Sequence, residues 1–233
     1  PGTVNQNKII KSVNLGLKDY NIVDAINKEI NLPIKIRNDA KCAALAENKY
    51  GALKKYNRIL FMTLGTGIGG AVIINGNLLE TGEYPGCEFG HMVIKENGLK
   101  CNCGRKGCFE KYGSMRAFKD NLRNELGLED KTSGKELMAI LKDTTKESKD
   151  YAKIEKVRKQ YIRDLSVGIA NLVNIFEPEA IGIGGSFVYF SEVLLQDVKK
   201  TILKEDMLFN PRKEINIQTA VLGNEAGIIG ATL

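Results

Sequence analysis

One histidine and three cysteines stand close together near the middle of the chain. His91, Cys101, Cys103 and Cys108 form the pattern H-x9-C-x-C-x4-C. Zinc takes four nitrogen or sulfur ligands in a tetrahedron, and structural sites fill all four positions. The spacing predicts a structural Zn2+ on these residues, with Gly104 and Gly107 letting the loop wrap the ion. A lone histidine is more often a packed core residue, but three neighbouring cysteines reverse that balance. A closed ligand set leaves no position for a metal-bound water, so the ion shapes a loop and performs no hydrolysis. Cys42 and Cys87 lack such company and read as buried cysteines.

A second cluster is the run Leu64-Gly65-Thr66-Gly67-Ile68-Gly69-Gly70. Glycines let backbone N–H groups crowd an anion without Cβ clashes, and Thr66 adds a hydroxyl. A Walker loop ends in Gly-Lys-Ser/Thr, which is absent, and a dinucleotide fingerprint needs a helix after the glycines. Here the following residues predict a strand and hairpin. A strand–glycine loop–strand unit fits a phosphate clamp, and the glycines exceed what a plain hairpin needs.

The carboxylates are harder to assign. Asp39 sits at a strand-to-helix junction, where helix capping competes with a role as general base; position alone favours the cap. Glu88 and Glu110 flank the cysteine loop. If that loop is pinned, they become fixed acceptors for sugar hydroxyls; taken singly, each reads as a surface residue.

The elements that would position these groups alternate between helix and strand. Helices are expected over 24–31, 40–50, most of 115–176, 192–203 and 223–233. Strands are expected over 34–36, 58–64, 71–74, 77–80, 180–183 and 215–221, with Asn75-Gly76 as a hairpin turn. Residues 82–110 read as loop. The pattern predicts an α/β fold with a mixed sheet. The 233 residues are enough for one domain or two lobes sharing a chain. The net charge of +6 is weak evidence for nucleic acid, because the lysines over 135–159 are interleaved with Asp and Glu as on a solvated helical face. No apolar run reaches the roughly 18–20 residues of a membrane span. Residues 1–16 lack the apolar stretch of a signal peptide. Five cysteines, an odd count, suit a metal site in a reducing cytosol better than a disulfide scaffold, so the expected location is cytoplasmic.

Taken together, these residues resemble the ROK family (repressors, open reading frames and sugar kinases). Glu88-Phe89-Gly90-His91 followed by Cys101-Asn102-Cys103-Gly104-Arg105-Lys106-Gly107-Cys108-Phe109-Glu110 matches the signature E-x-G-H, then C-x-C-G-x-x-G-C-x-E, at every fixed position. The run 64–70 resembles the family's second phosphate motif, and Asn38-Asp39-Ala40 its E-N-D-A segment. Residues 181–186 resemble the adenosine-side glycine motif, and 222–227 the closing segment.

The resemblance implies an actin-like (ribonuclease H-like) two-lobed ATPase fold, with mixed sheets flanked by helices. Residues 1–55 would be the remainder of the small lobe, 56–221 the large lobe with the zinc loop, and 222–233 a closing helix returning to the small lobe. It implies a glucokinase-type, ATP-dependent phosphorylation of a hexose hydroxyl. Asp39 would be the catalytic base. Asn38, Glu88, His91 and Glu110 would bind sugar, and Gly65, Thr66, Gly67, Gly184 and Gly185 would bind ATP with Mg2+. His91 would also ligate the structural Zn2+ with Cys101, Cys103 and Cys108. The expected assembly is a homo-oligomer, a dimer or tetramer, with no membrane or nucleic-acid partner. The alternative is the sugar-sensing effector domain of a ROK-type repressor.

Arg37 stands where the family usually has Glu, Lys41 where it has Asn, and Ser186 where a third glycine is frequent. Nothing resembles the family's opening D-x-G-G-T loop. The turn chemistry of Pro1-Gly2-Thr3 suggests that sequence precedes it, and the resemblance to the family's architecture, with typical domain size, implies roughly 80 such residues.

Overall fold

The computed structural model describes residues 3–5, 8–12, 15–80, 86–204 and 207–233. The Pro1-Gly2 turn and positions 82–85 of the expected loop lie outside the described residues. The described residues build two sheets. The first is antiparallel, in the order β1 (Thr3–Asn5), β2 (Lys8–Ser12), β3 (Leu17–Asn21). Its strands went unrecognised in the sequence because β1 is three residues long and β3 is mostly polar and exposed. β2 buries Ile9 and Ser12, three residues apart, and so shows no simple alternation either. Helix α1 (Ile22–Asn27) follows, capped by Asn21, whose side chain accepts the Asp24 N–H.

The strand expected over 34–36 is absent. Ile34 and Ile36 are half-buried, but the segment has no ladder partner among the described residues and runs irregularly into the next helix. That helix, α2 (Asp39–Lys49), is alanine-rich and buries Ala40, Cys42, Ala44 and Ala46.

The second sheet is mixed and five-stranded, in the order β6-β5-β4-β7-β8. Its strands are β4 (Arg58–Leu64), β5 (Ile68–Ile74), β6 (Asn77–Leu78), β7 (Ala180–Gly184) and β8 (Ile217–Thr219). β4 and β5 pair antiparallel from Arg58↔Ile74 to Leu64↔Ile68, while β4–β7 and β7–β8 are parallel. Asn75 and Gly76 make the β5–β6 turn with φ of 52° and 77°, the left-handed pair a two-residue hairpin needs. β6 and β8 are shorter than the sequence suggested, and β5 begins three residues earlier.

The remaining helices are α3 (Glu110–Gly113), α4 (Met115–Leu126), α5 (Gly134–Asp143), α6 (Tyr151–Phe176), α7 (Ser191–Ile202) and α8 (Ala226–Ala231). α6 ends where Glu177 turns left-handed at φ 47°, just before Pro178. Strand alternation sorts the side chains between two faces. Leu60, Met62, Leu64, Val72, Ile181 and Ile183 join one large core with α4, α6 and α7. Ile59, Phe61, Ala71 and Ile73 form a smaller core with Ala44 of α2 and Leu53. Helices therefore cover both faces, as a largely buried sheet requires. None of the described helices is long and apolar enough to cross a membrane.

α8 lies on α2 so closely that a Cβ at Gly230 would collide with the Cys42 carbonyl. In the last turn of α2, the fully buried Glu47 carboxylate accepts the N–H groups of Ala52 at 2.9 Å and of Val221 and Leu222 at 2.8 Å. One side chain thus ties α2 to the segment leading into α8.

Candidate functional site

Four segments converge on one cavity. The first is the N-terminal end of α2. Asn38 caps this helix, its Oδ1 accepting the N–H groups of Ala40 at 2.9 Å and Lys41 at 3.4 Å. The capping role weighed for Asp39 therefore belongs to its neighbour. Asp39 is the first helical residue, with Oδ1 3.0 Å from the Ala40 N–H, and it lines the cavity. Lys41, the departure two positions on, does not line it; the Lys41 ammonium is buried 3.6 Å from Glu80.

The second segment is the glycine loop. Because β5 starts at Ile68, the loop proper is only Gly65, Thr66 and Gly67, closed by Gly65 N–H donating to the Gly67 carbonyl at 3.0 Å. Gly70 lies within the strand, where a Cβ would meet the Phe89 ring. The loop is braced from outside, with the Arg116 N–H donating to the Gly65 carbonyl at 3.0 Å.

The third segment carries the sulfur cluster. His91 closes a short 3-10 turn, Phe89–His91, preceded by Glu88. The ligand atoms of His91, Cys101, Cys103 and Cys108 all lie within 4.8 Å of one another. Cys101 Sγ is 3.8 Å from His91 Nδ1, and Cys103 Sγ is 3.6 Å from Cys108 Sγ. Tetrahedral bonds of about 2.3 Å give edges of about 3.8 Å, so the set fits Zn2+; the sulfurs are far beyond disulfide length. Bridges at Val93↔Cys108 and Lys100↔Lys106 fold the loop into a knuckle. Burial pushes the Cys108 thiol up to about 12, with the neighbouring Cys103 and Cys101 adding to it. Burial also raises Cys103, but hydrogen bonds from the Arg105 backbone and the adjacent thiols outweigh it and hold that group below the usual thiol range. A bound dication would supply the charge that ionises the remaining sulfurs.

The fourth segment is α3, opened by Glu110. Its Oε2 accepts the Ile68 N–H at 3.2 Å, and a Cβ at Gly67 would fall on that same oxygen. Gly90 answers from the other side, since a Cβ there would press on the Ile68 carbonyl. The cysteine loop and the glycine loop are therefore interlocked.

The cavity these segments enclose measures about 520 Å3, within the usual range for a small-molecule site. Of the residues expected from the sequence, Asn38, Asp39, Gly65, Thr66, Gly67, Glu88, His91, Glu110 and Gly185 line it, as does Cys103. Gly184 does not; it remains buried at the end of β7. Lys11, Ser12, Thr63 and Asn102 also line the cavity and were missed. Asn102 was legible as the residue between two ligands, whereas Lys11 and Ser12 belong to the sheet that the sequence did not reveal.

The sequence matches the ROK family over residues 1–233. It is 30% identical over 230 residues to a glucokinase from Streptomyces coelicolor, covering 94% of this chain and 72% of the relative. It is also 30% identical over 203 residues to a xylose repressor from Bacillus spizizenii, covering 87% of this chain and half of that protein. Among solved structures, a ROK family glucokinase from Streptomyces griseus in complex with glucose and AMPPNP superposes with a TM-score of 0.83 at 27% identity, covering 99% of this chain and 77% of the other. The mixed sheet flanked by helices is accordingly the actin-like ATPase fold of ROK sugar kinases. With the whole sequence matched to the family and its architecture shared with a family member, the chain belongs to the ROK family.

Proposed function

We propose that the protein is an ATP-dependent sugar kinase of glucokinase type, phosphorylating a hexose hydroxyl. The reading rests on one observation: a carboxylate at the start of a helix, Asp39, shares a cavity with the Gly65–Gly67 loop and with Glu88, His91 and Glu110. The similarity to glucokinases supports it.

In this reading the sugar lies between Asn38-Asp39 and the Glu88/His91/Glu110 wall. The Asp39 carboxylate accepts the proton of the attacking hydroxyl. Backbone N–H groups and the Thr66 hydroxyl position the phosphates, with Gly185 on the adenosine side and Gly184 behind it. Phosphoryl transfer asks the protein mainly for positioning and charge stabilisation. Mg2+ carried with ATP would supply charge neutralisation at the phosphates, and His91, Cys101, Cys103 and Cys108 would hold a structural Zn2+ that pins the sugar-facing wall. His91 Nδ1 faces the sulfurs, which leaves the opposite ring edge for the substrate. Residues 1–55 and 222–233 form the small lobe, a division supported by α8 packing on α2.

A coupled assay across hexoses, with ATP as donor, tests the reading; glucose is the expected substrate. The similarity to xylose repressors favours a second reading, the sugar-sensing domain of a repressor. Sugar binding without phosphoryl transfer to any sugar of the panel would support that reading and exclude the first.

A further inference from the structure

The contact between Glu110 and the glycine loop has a consequence beyond sugar binding. Among the described residues, the one hydrogen bond that the Glu110 carboxylate accepts is from the Ile68 backbone, at 3.2 Å. That N–H is the first of β5, directly after the Gly65–Gly67 loop which the proposed kinase offers to ATP phosphates, and it lies within the run 64–70 that resembles the phosphate motif. The same Oε2 fills the space a side chain at 67 would take, so the carboxylate lies directly against the loop. A carboxylate there competes with phosphate for an N–H donor and adds like-charge repulsion in a partly enclosed site. Glu110 also lines the sugar cavity, where hydroxyl groups are the natural donors to it.

We propose that Glu110 is an anion gate on the phosphate loop, which rests on the kinase reading above. Without sugar, its carboxylate occupies the Ile68 N–H and weakens nucleotide binding. When sugar hydroxyls donate to the carboxylate, they draw off its charge and release the N–H to a phosphate. Sugar and nucleotide then bind with positive coupling, and ATP is protected from hydrolysis while the sugar site is empty. Gly67 serves this gate as well as the phosphates, because any larger residue would displace the carboxylate.

The test measures AMPPNP affinity by calorimetry, with and without saturating glucose, in the unmodified protein, in Glu110→Gln and in Glu110→Ala. For the unmodified protein, glucose should tighten AMPPNP by a factor in the range of ordinary allosteric coupling, about 5- to 150-fold. In both variants, sugar-free AMPPNP affinity should rise and the glucose effect should fall towards one. Sugar-independent ATP hydrolysis should rise with it. Weaker glucose binding with the coupling factor unchanged would make Glu110 a sugar contact only and overturn the gate. Absence of AMPPNP binding by the unmodified protein under both conditions would overturn the kinase reading itself. Thermal melts of both variants check that they remain folded.

Discussion

Replacing Glu47 by Ala should remove a large part of the stability of the protein. The carboxylate is fully buried and accepts three backbone N–H groups, from Ala52, Val221 and Leu222. Hydrogen bonds to a charged group contribute about 1.5–3 kcal/mol each, and a buried donor left unpaired costs about 1–3 kcal/mol. The three amides belong to half-buried or exposed residues, so water can partly replace the lost acceptor and the low end applies. The expected loss is about 4 kcal/mol, against a total of about 5–15 kcal/mol for a typical domain. Glu47→Gln keeps one acceptor oxygen for Val221 and Leu222 but sets an amide donor against the Ala52 N–H, so about half that loss is expected. Urea unfolding at neutral pH measures both, with the slope showing whether the transition stays two-state. Amide exchange at Val221 and Leu222 should quicken in the alanine variant. A loss below about 1 kcal/mol at unchanged slope would refute the reasoning: the hydrogen bonds would then only offset the cost of burying the charge.

Three further outcomes are expected. Elemental analysis should find one zinc per chain, lost in Cys103→Ser; folded, metal-free protein would exclude the structural ion. Asp39→Asn should bind sugar with little change yet lose about 100- to 10,000-fold in kcat, the range for a general base; unchanged turnover would remove Asp39 from that role. Glu179 is held below the usual carboxylate range by the backbone N–H of Arg58, then that of Asn57, so the stability it contributes is present above its unfolded pKa and lost as pH falls through the lower folded value. Glu179→Gln should flatten the acid side of a stability–pH curve, and an unchanged curve would show that those two N–H bonds add nothing.

The motifs that were legible in the sequence are the ones whose chemistry depends on local spacing. For His91, Cys101, Cys103 and Cys108 the residue types and spacing are themselves the signal, and the structure brings their ligand atoms together. β4 was legible as a continuous apolar, β-rich run and α6 as a long helical period. The β1–β3 sheet was not, since its strands are short and only half their pattern is apolar. Lys11 and Ser12 were lost with it. The run 34–36 failed in the opposite sense: its alternation is real, but a strand also needs a partner, and none is in reach among the described residues. The division of labour at the start of α2 was illegible too, because Asn38 and Asp39 are equally good caps and only backbone geometry chooses between them.

β4 and β7 are neighbours in the sheet but are separated by more than a hundred residues of chain, which include the cysteine loop and α3–α6. The β4–β5 hairpin and the knuckle over 91–108 close locally and need little loop entropy, whereas β7 must wait for a long excursion to fold back. Until it arrives, β4 presents one open edge along Ile59, Leu60, Phe61 and Met62, side chains that end up fully or almost fully buried. An unpaired apolar edge of that kind is a template for pairing with another chain. The yield of soluble protein during synthesis is therefore set by the speed with which α6 forms and delivers β7 to that edge, and it should fall as temperature and expression rate favour encounters between half-folded chains over that single intramolecular docking step.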